Sequence, residues 1–216
     1  MSRPLIITDC DEVLLYMISH FRDWLGEEQG IEFRMDGGEF MRAMSHRDTG
    51  EPVAEKEMWK LLNGFFDGQM HRQTPVDGAV EAIAELADHA DVVVLTNLKD
   101  FRQEARTRQL AEHGLDLRVY TNQGPKGPAL QAILDEFQPS RAIFVDDLAV
   151  HHDSVSGVAP NIGRLHLCAE PKIAPHIDCA HQAGHAHARI DDWKVALPWM
   201  LDRLYSDTDA DTGATP

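Results

Sequence analysis

Short, unbroken apolar runs separated by stretches of helical period are what most restrict the folds open to this chain. Four runs stand out: PLIIT near residue 5, DVVVLT over 91–96, LRVYT over 117–121 and RAIFVDD over 141–147. RLHLC over 164–168 makes a fifth. A strand that is apolar on both faces is covered on both faces, as the strands of parallel sheets are. Segments 77–89, 101–113 and 126–137 lie between them with helical spacing. Val80, Ile83, Ala84 and Leu86 share one face of the first; Leu130, Ile133 and Leu134 share one face of the third. Strand alternating with helix predicts an α/β fold with a doubly wound parallel sheet.

In such a sheet, ligands bind at the carboxyl ends of the strands. Every oddly polar strand end falls there: Asp9 and Asp11 after the first run, Thr96 and Asn97 after the second, Asp146 and Asp147 after the fourth, with Lys126 opening the helix after the third. The alternation fails only over 16–74, a stretch far longer than the usual strand-to-helix connection. MISHFRDWLGEEQG and AEKEMWKLLNGFF have helical periods there, and no convincing strand is visible. The expected organisation is an α/β core from 1–15 and 75–205, an inserted helical cap over 16–74, and a disordered tail over 206–216, which is small, polar and free of aromatics. Trp24, Phe33, Phe40, Trp59, Phe65 and Phe66 are expected to form mostly the cap's own core, with one or two lining the pocket. IDDW at 190–193 reads as a strand end and an Asp191 or Asp192 helix cap, with Leu197, Met200, Leu201 and Leu204 packing inward.

Twenty Lys and Arg against 36 Asp and Glu give a formal charge of -16, which repels nucleic acid and anionic lipid. An anionic substrate therefore needs local help from a cation or a helix N-terminus. The first residues hold no apolar run of signal-peptide length, and Cys10, Cys168 and Cys179 are odd in number and scattered, so the expected setting is the reducing cytoplasm.

Carboxylates converging on one edge repel and raise one another's pKa unless a hard cation sits among them. Oxygen-only ligands favour Mg²⁺. Asp9, last in its strand, is placed as a nucleophile that attacks phosphorus to form an aspartyl phosphate. Asp11 is placed to give a proton to the leaving oxygen and later take one from water. Thr96 offers a hydroxyl, Asn97 a backbone N–H and Lys126 a positive charge to the phosphoryl oxygens.

These residues resemble the four motifs of the haloacid dehalogenase superfamily, over roughly 4–15 and 75–170. IITDCDEVL is similar to the first, VVVLTN to the second, Lys126 in GPKGPAL to the third and AIFVDD to the fourth. The resemblance implies a Rossmann-like core and Mg²⁺ bound by the Asp9 carboxylate, the Asp11 carbonyl and an acidic side chain of the fourth motif, Asp147 in preference to Asp146. Asp153 is a candidate for a more distal acidic residue of that motif, or a helix cap. Dehalogenating members lack the second aspartate, so Asp11 points to phosphoryl chemistry. Glu12 stands where Gly is common and Val13 where Thr is common, which leaves the local turn and substrate access in question.

The expected activity is hydrolysis of a small phosphorylated metabolite. Rivals are a phosphomutase on the same core and a non-catalytic binding or regulatory protein. Neither a nucleic acid nor a membrane is an expected partner, and the oligomeric state is not legible. Lys99 competes with Lys126. Cys179, His181, His185 and His187 read as a polar surface loop in preference to a zinc site, and His151 and His152 as residues that touch substrate or lie on an exposed rim.

Overall fold

The computed structural model of the protein describes residues 2–35 and 40–206; of the expected disordered tail, everything from residue 207 onward lies outside the described residues. In chain order the elements are β1 (Leu5–Thr8), α1 (Ile18–Trp24), β2 (Ile31–Phe33), β3 (Met44–His46), α2 (Glu55–Gly68), α3 (Ala79–His89), β4 (Asp91–Thr96), α4 (Gln103–Glu112), β5 (Arg118–Thr121), α5 (Gly127–Phe137), β6 (Ala142–Asp146), α6 (Ala149–Val158), β7 (Gly163–His166), β8 (Ala188–Arg189) and α7 (Trp193–Tyr205). Six strands form one parallel sheet in the order β5-β4-β1-β6-β7-β8, with β1 between β4 and β6. All five expected strands are in it, in the doubly wound arrangement.

Alternation along each strand divides the core in two. Leu5 and Ile7 of β1 join Val93, Leu95 and Phe144 on one face, against Leu130 and Ile133 of α5 and Val155 of α6. Ile6 joins Val94, Ile143 and Val145 on the other, against Ile83 and Leu86 of α3 and Trp193 and Met200 of α7. Each such fully buried large side chain contributes roughly 1.5–3 kcal/mol through removal from water. Because both faces are filled this way, β1 is held rigidly and its carboxyl end is a fixed platform. Asp192 caps α7 by accepting from the Lys194 N–H at 2.7 Å. The buried face of α7 carries Trp193, Ala196, Met200 and Leu204, while Leu197 and Leu201 are only partly buried.

The segment between β1 and α3 has an apolar cluster of its own, in which Phe21, Trp24, Phe33 and Phe65 pack with Ile173 and Ala174 from the loop after β7. The Phe21 and Phe65 rings meet edge to face at 5.4 Å. Two expectations need correction. β2 and β3 pair as an antiparallel hairpin inside this segment, whereas only helices were expected; strands of three residues are too short to show a period of two. Trp59 is 47% exposed instead of buried in the cluster. The short β8 is the strand whose end was read at residue 190. Among the described residues no helix is long and apolar enough to cross a membrane.

Candidate active site

β1 delivers its last residues to the sheet edge between β4 and β6. The Asp9 N–H donates to the Val145 carbonyl at 2.8 Å, and the Cys10 N–H donates to Asp9 Oδ1 at 2.7 Å. Lys126, at the cap of α5, is fully buried and bridges two carboxylates: its Nζ lies 2.9 Å from Asp9 Oδ1 and 2.6 Å from Asp146 Oδ2. Carboxylate oxygens of Asp9, Asp146 and Asp147 lie within 4.8 Å of one another, and all three residues are buried. Burial pushes the Asp9 carboxyl up against the opposing charge of Lys126. Burial, then the charges of Asp146 and Asp9, holds the Asp147 carboxyl well above the usual range. Lys126 stays charged despite burial, because Asp146 and Asp9 raise its pKa.

The charge balance of the cluster favours a cation. Three carboxylates face one ammonium, an excess of two negative charges when all are ionised, and among the described residues no Lys, Arg or His pairs with Asp147. A buried carboxylate without a cation is costly. The donors are hard oxygens, so the site fits a divalent cation of the Mg²⁺ type better than a thiophilic one. Asp146 is already engaged, since Oδ2 accepts from Lys126 and Oδ1 from the Leu148 N–H at 2.9 Å. Among the described residues Asp147 has no such engagement, so of the pair its carboxylate is the one left open to a cation.

Asp11 points into a different set of partners. Arg106 of α4 grips it with Nη2 at 2.9 and 3.1 Å from the two carboxylate oxygens, and Gln73 Nε2 donates to Oδ1 at 2.7 Å. Arg106 Nη1 also reaches Gln73 Oε1 and Gln109 Oε1, at 3.2 and 3.1 Å, and the guanidinium is wholly buried. Burial pushes the Asp11 carboxyl up, with Arg106 pulling the other way. Neither Arg106 nor Gln73 was singled out in the sequence; they lie 95 and 62 residues from Asp11, and no local pattern announces such a pair. Glu12 adopts a left-handed φ of 61°, the conformation that favours Gly at this turn. Its Oε1 accepts from the Met17 and Ile18 N–H groups at 2.9 and 2.6 Å, so this side chain caps α1, and burial raises its pKa to about 7.

Thr96 ends β4 two residues beyond Val94, the partner of Thr8, which puts it on the same edge. Its Oγ1 is buried and has no hydrogen-bond partner, so it is free for a ligand. The Asn97 side chain is spent within the protein: Nδ2 donates to the Gly124 carbonyl at 3.0 Å and Oδ1 accepts from Asn122 at 2.8 Å. Lys99 is exposed, whereas Lys126 is the lysine that reaches the carboxylate cluster.

His151 and His152 are buried in α6, not on an exposed rim. His151 Nε2 lies 3.3 Å from Asn97 Nδ2. Burial drives the His152 pKa down to about 3. Asp153 faces outward and pairs with His185 at 3.3 Å, away from the carboxylate cluster. The other histidines of the late loop are separately employed: His181 Nδ1 bonds the Ala186 carbonyl, and His187 Nδ1 accepts from the Arg164 N–H.

Neither a family model nor a curated protein matches the sequence. Solved structures do. A haloacid dehalogenase-like hydrolase from Streptococcus pneumoniae has TM-score 0.65 at 12% identity, over 92% of this chain and 98% of that one. A haloacid dehalogenase-like protein of unknown function from Agrobacterium tumefaciens has TM-score 0.64 at 17% identity, over 94% and 99%. A haloacid dehalogenase family hydrolase from Deinococcus radiodurans, with bound phosphate and sodium, has TM-score 0.65 at 17% identity, over 94% and 96%. Similar in backbone to these proteins along nearly the whole chain, this protein has the haloacid dehalogenase-like fold.

Proposed function

We propose that the protein is a Mg²⁺-dependent phosphatase that hydrolyses a small phosphomonoester through an aspartyl phosphate on Asp9. The observation that carries this reading is the buried cluster of Asp9, Asp146 and Asp147 around Lys126, two charges short of neutrality. Asp9, Asp147 and the Asp11 carbonyl would hold the ion, which when bound neutralises charge on the phosphoryl oxygens and on the carboxylates facing them. Bound phosphate in the Deinococcus radiodurans neighbour supports the same substrate class.

Each residue has a task set by its position. Asp9 Oδ attacks phosphorus, forming a P–O bond as the bond to the leaving oxygen breaks. Lys126 neutralises charge gathering on the phosphoryl oxygens, and the unpartnered Thr96 hydroxyl donates to one of them. Asp11 gives its proton to the leaving oxygen; after that group departs, the carboxylate takes a proton from the water that attacks phosphorus and frees Asp9. Burial favours the protonated Asp11 that the first step needs. Arg106 and Gln73 favour its charged form, so their contacts must loosen for proton donation. In this reading the segment over 16–74, which sends Gln73 to Asp11, selects the substrate.

Phosphate release from a panel of phosphorylated metabolites, with and without Mg²⁺, tests the reading in wild type, Asp9→Asn and Asp11→Asn. Release confined to Mg²⁺ and abolished in Asp9→Asn is expected. Release that persists in Asp9→Asn overturns the covalent route, and isomerised product without free phosphate assigns a mutase instead.

A further inference from the structure

The chemistry so far leaves two fully buried histidines unused, and both bond the backbone of the acidic pair. His166 Nε2 lies 2.8 Å from the Asp147 carbonyl. Its other nitrogen, Nδ1, accepts from the Ala180 N–H at 3.0 Å. Nδ1 is therefore bare, Nε2 carries the hydrogen, and the ring donates to Asp147. His152 Nε2 lies 3.0 Å from the Asp146 carbonyl, which also accepts from the Leu167 N–H at 3.0 Å. A carbonyl only accepts, so this ring too carries its hydrogen on Nε2. The two rings pack 5.4 Å apart, and His152 sits edge-on to Phe144 at 5.2 Å.

The position of these bonds gives them meaning. β6 ends at Asp146, and its pairing with β7 ends at the same residue, opposite His166. Asp147 is thus the first residue beyond the ladder, and the donor that fixes its peptide is the ring of the residue facing Asp146. A shift of that peptide swings the Asp147 carboxylate, whose distance from Asp9 defines the cluster.

We propose that His166, backed by His152, is a positioning residue for the cation site: its ring N–H holds the Asp147 peptide so that the carboxylate stays within reach of Asp9. The proposal rests on the reading of the cluster as a divalent-cation site. Groups that orient metal ligands typically carry about 10- to 100-fold in metal affinity.

Two substitutions separate this role from ordinary packing. The amide of His166→Gln reaches where Nε2 was, so it keeps the donor to Asp147; that of His166→Asn reaches only where Nδ1 was, so it keeps the acceptor for Ala180 and loses the bond to Asp147. Both keep a polar group at the site. Titration of the full-length chain with Mg²⁺ alone, read by calorimetry, is expected to show affinity lowered about 10- to 100-fold in His166→Asn and restored to within about threefold of wild type in His166→Gln. His152→Leu gives a second reading should His166→Asn not fold, with a smaller loss expected because Leu167 still bonds Asp146. Equal Mg²⁺ affinity in wild type and in the folded His166→Asn, or in His152→Leu where that variant must carry the test, overturns the brace alone. A wild-type chain without saturable Mg²⁺ binding overturns the reading of the cluster, and the brace with it.

Discussion

Asp146 and Asp147 are neighbours in one acidic pair, yet their amide variants should move stability in opposite directions. Asp147 has two carboxylates within 4.8 Å and no cation of its own. At an effective dielectric of about 20, each repulsion at that distance is about 3.5 kcal/mol. Lys126 offsets roughly one of the two, so a net penalty of about 3 kcal/mol remains while all are charged, and proton uptake by Asp147 reduces it. Asp147→Asn should therefore raise the stability of the metal-free protein by about 1–3 kcal/mol, or roughly 2–10 °C in Tm for a chain of this size. Asp146→Asn removes a partner 2.6 Å from buried Lys126. Losing half of a buried ion pair costs about 3–5 kcal/mol, reduced here because Asp9 still pairs with the lysine. Thermal melts in EDTA and then in Mg²⁺ provide the assay. Asp147→Asn should melt higher than wild type in EDTA and gain nothing from Mg²⁺, while wild type gains. A lower Tm for Asp147→Asn in EDTA refutes the charge balance.

Three further outcomes follow from named contacts. Arg106→Met strips Asp11, Gln73 and Gln109 of a common partner and should cost about 3–5 kcal/mol, read as a drop in the urea midpoint at unchanged slope. Glu12→Gly removes both the left-handed strain and the α1 cap, whereas Glu12→Ala removes only the cap; the Gly variant should be the more stable of the two by about 1 kcal/mol in the same assay. His152, held near pKa 3 in the fold against 6.5 ordinarily, binds its proton more readily when unfolded. Its contribution is present above the unfolded value and lost as pH falls from about 6.5 toward 3. Between about pH 7.5 and pH 4.5, wild type should lose roughly 3 kcal/mol more than His152→Gln.

The parallel sheet was legible because its strands are buried on both faces and show as solid apolar runs; Asp9, Thr96 and Asp146 stood out because a polar residue ending such a run has no packing reason to be there, and Lys126 because it opens a helix at the same edge. The expectation of separate domains at 16 and 75 rests on a break in period alone. What escaped did so for physical reasons. β2 and β3 form a hairpin too short to have a readable period. Trp59 sits at a helical position like its neighbours yet faces water, because the turn of α2 on its partners is set by tertiary contacts. Arg106 grips Asp11 from far along the chain, and the proposed role of His166 depends on the carbonyl of the residue just past a neighbouring strand. Side-chain identity alone carries no record of either.

Acid-quenched labelling with radioactive acetyl phosphate tests the central claim most directly. In Mg²⁺, the account predicts one hydroxylamine-labile label per chain, on the peptide that carries Asp9, absent in EDTA and absent in Asp9→Asn. A label of undiminished yield in EDTA, or one that survives in Asp9→Asn, contradicts a cation-assisted phosphorylation of that aspartate.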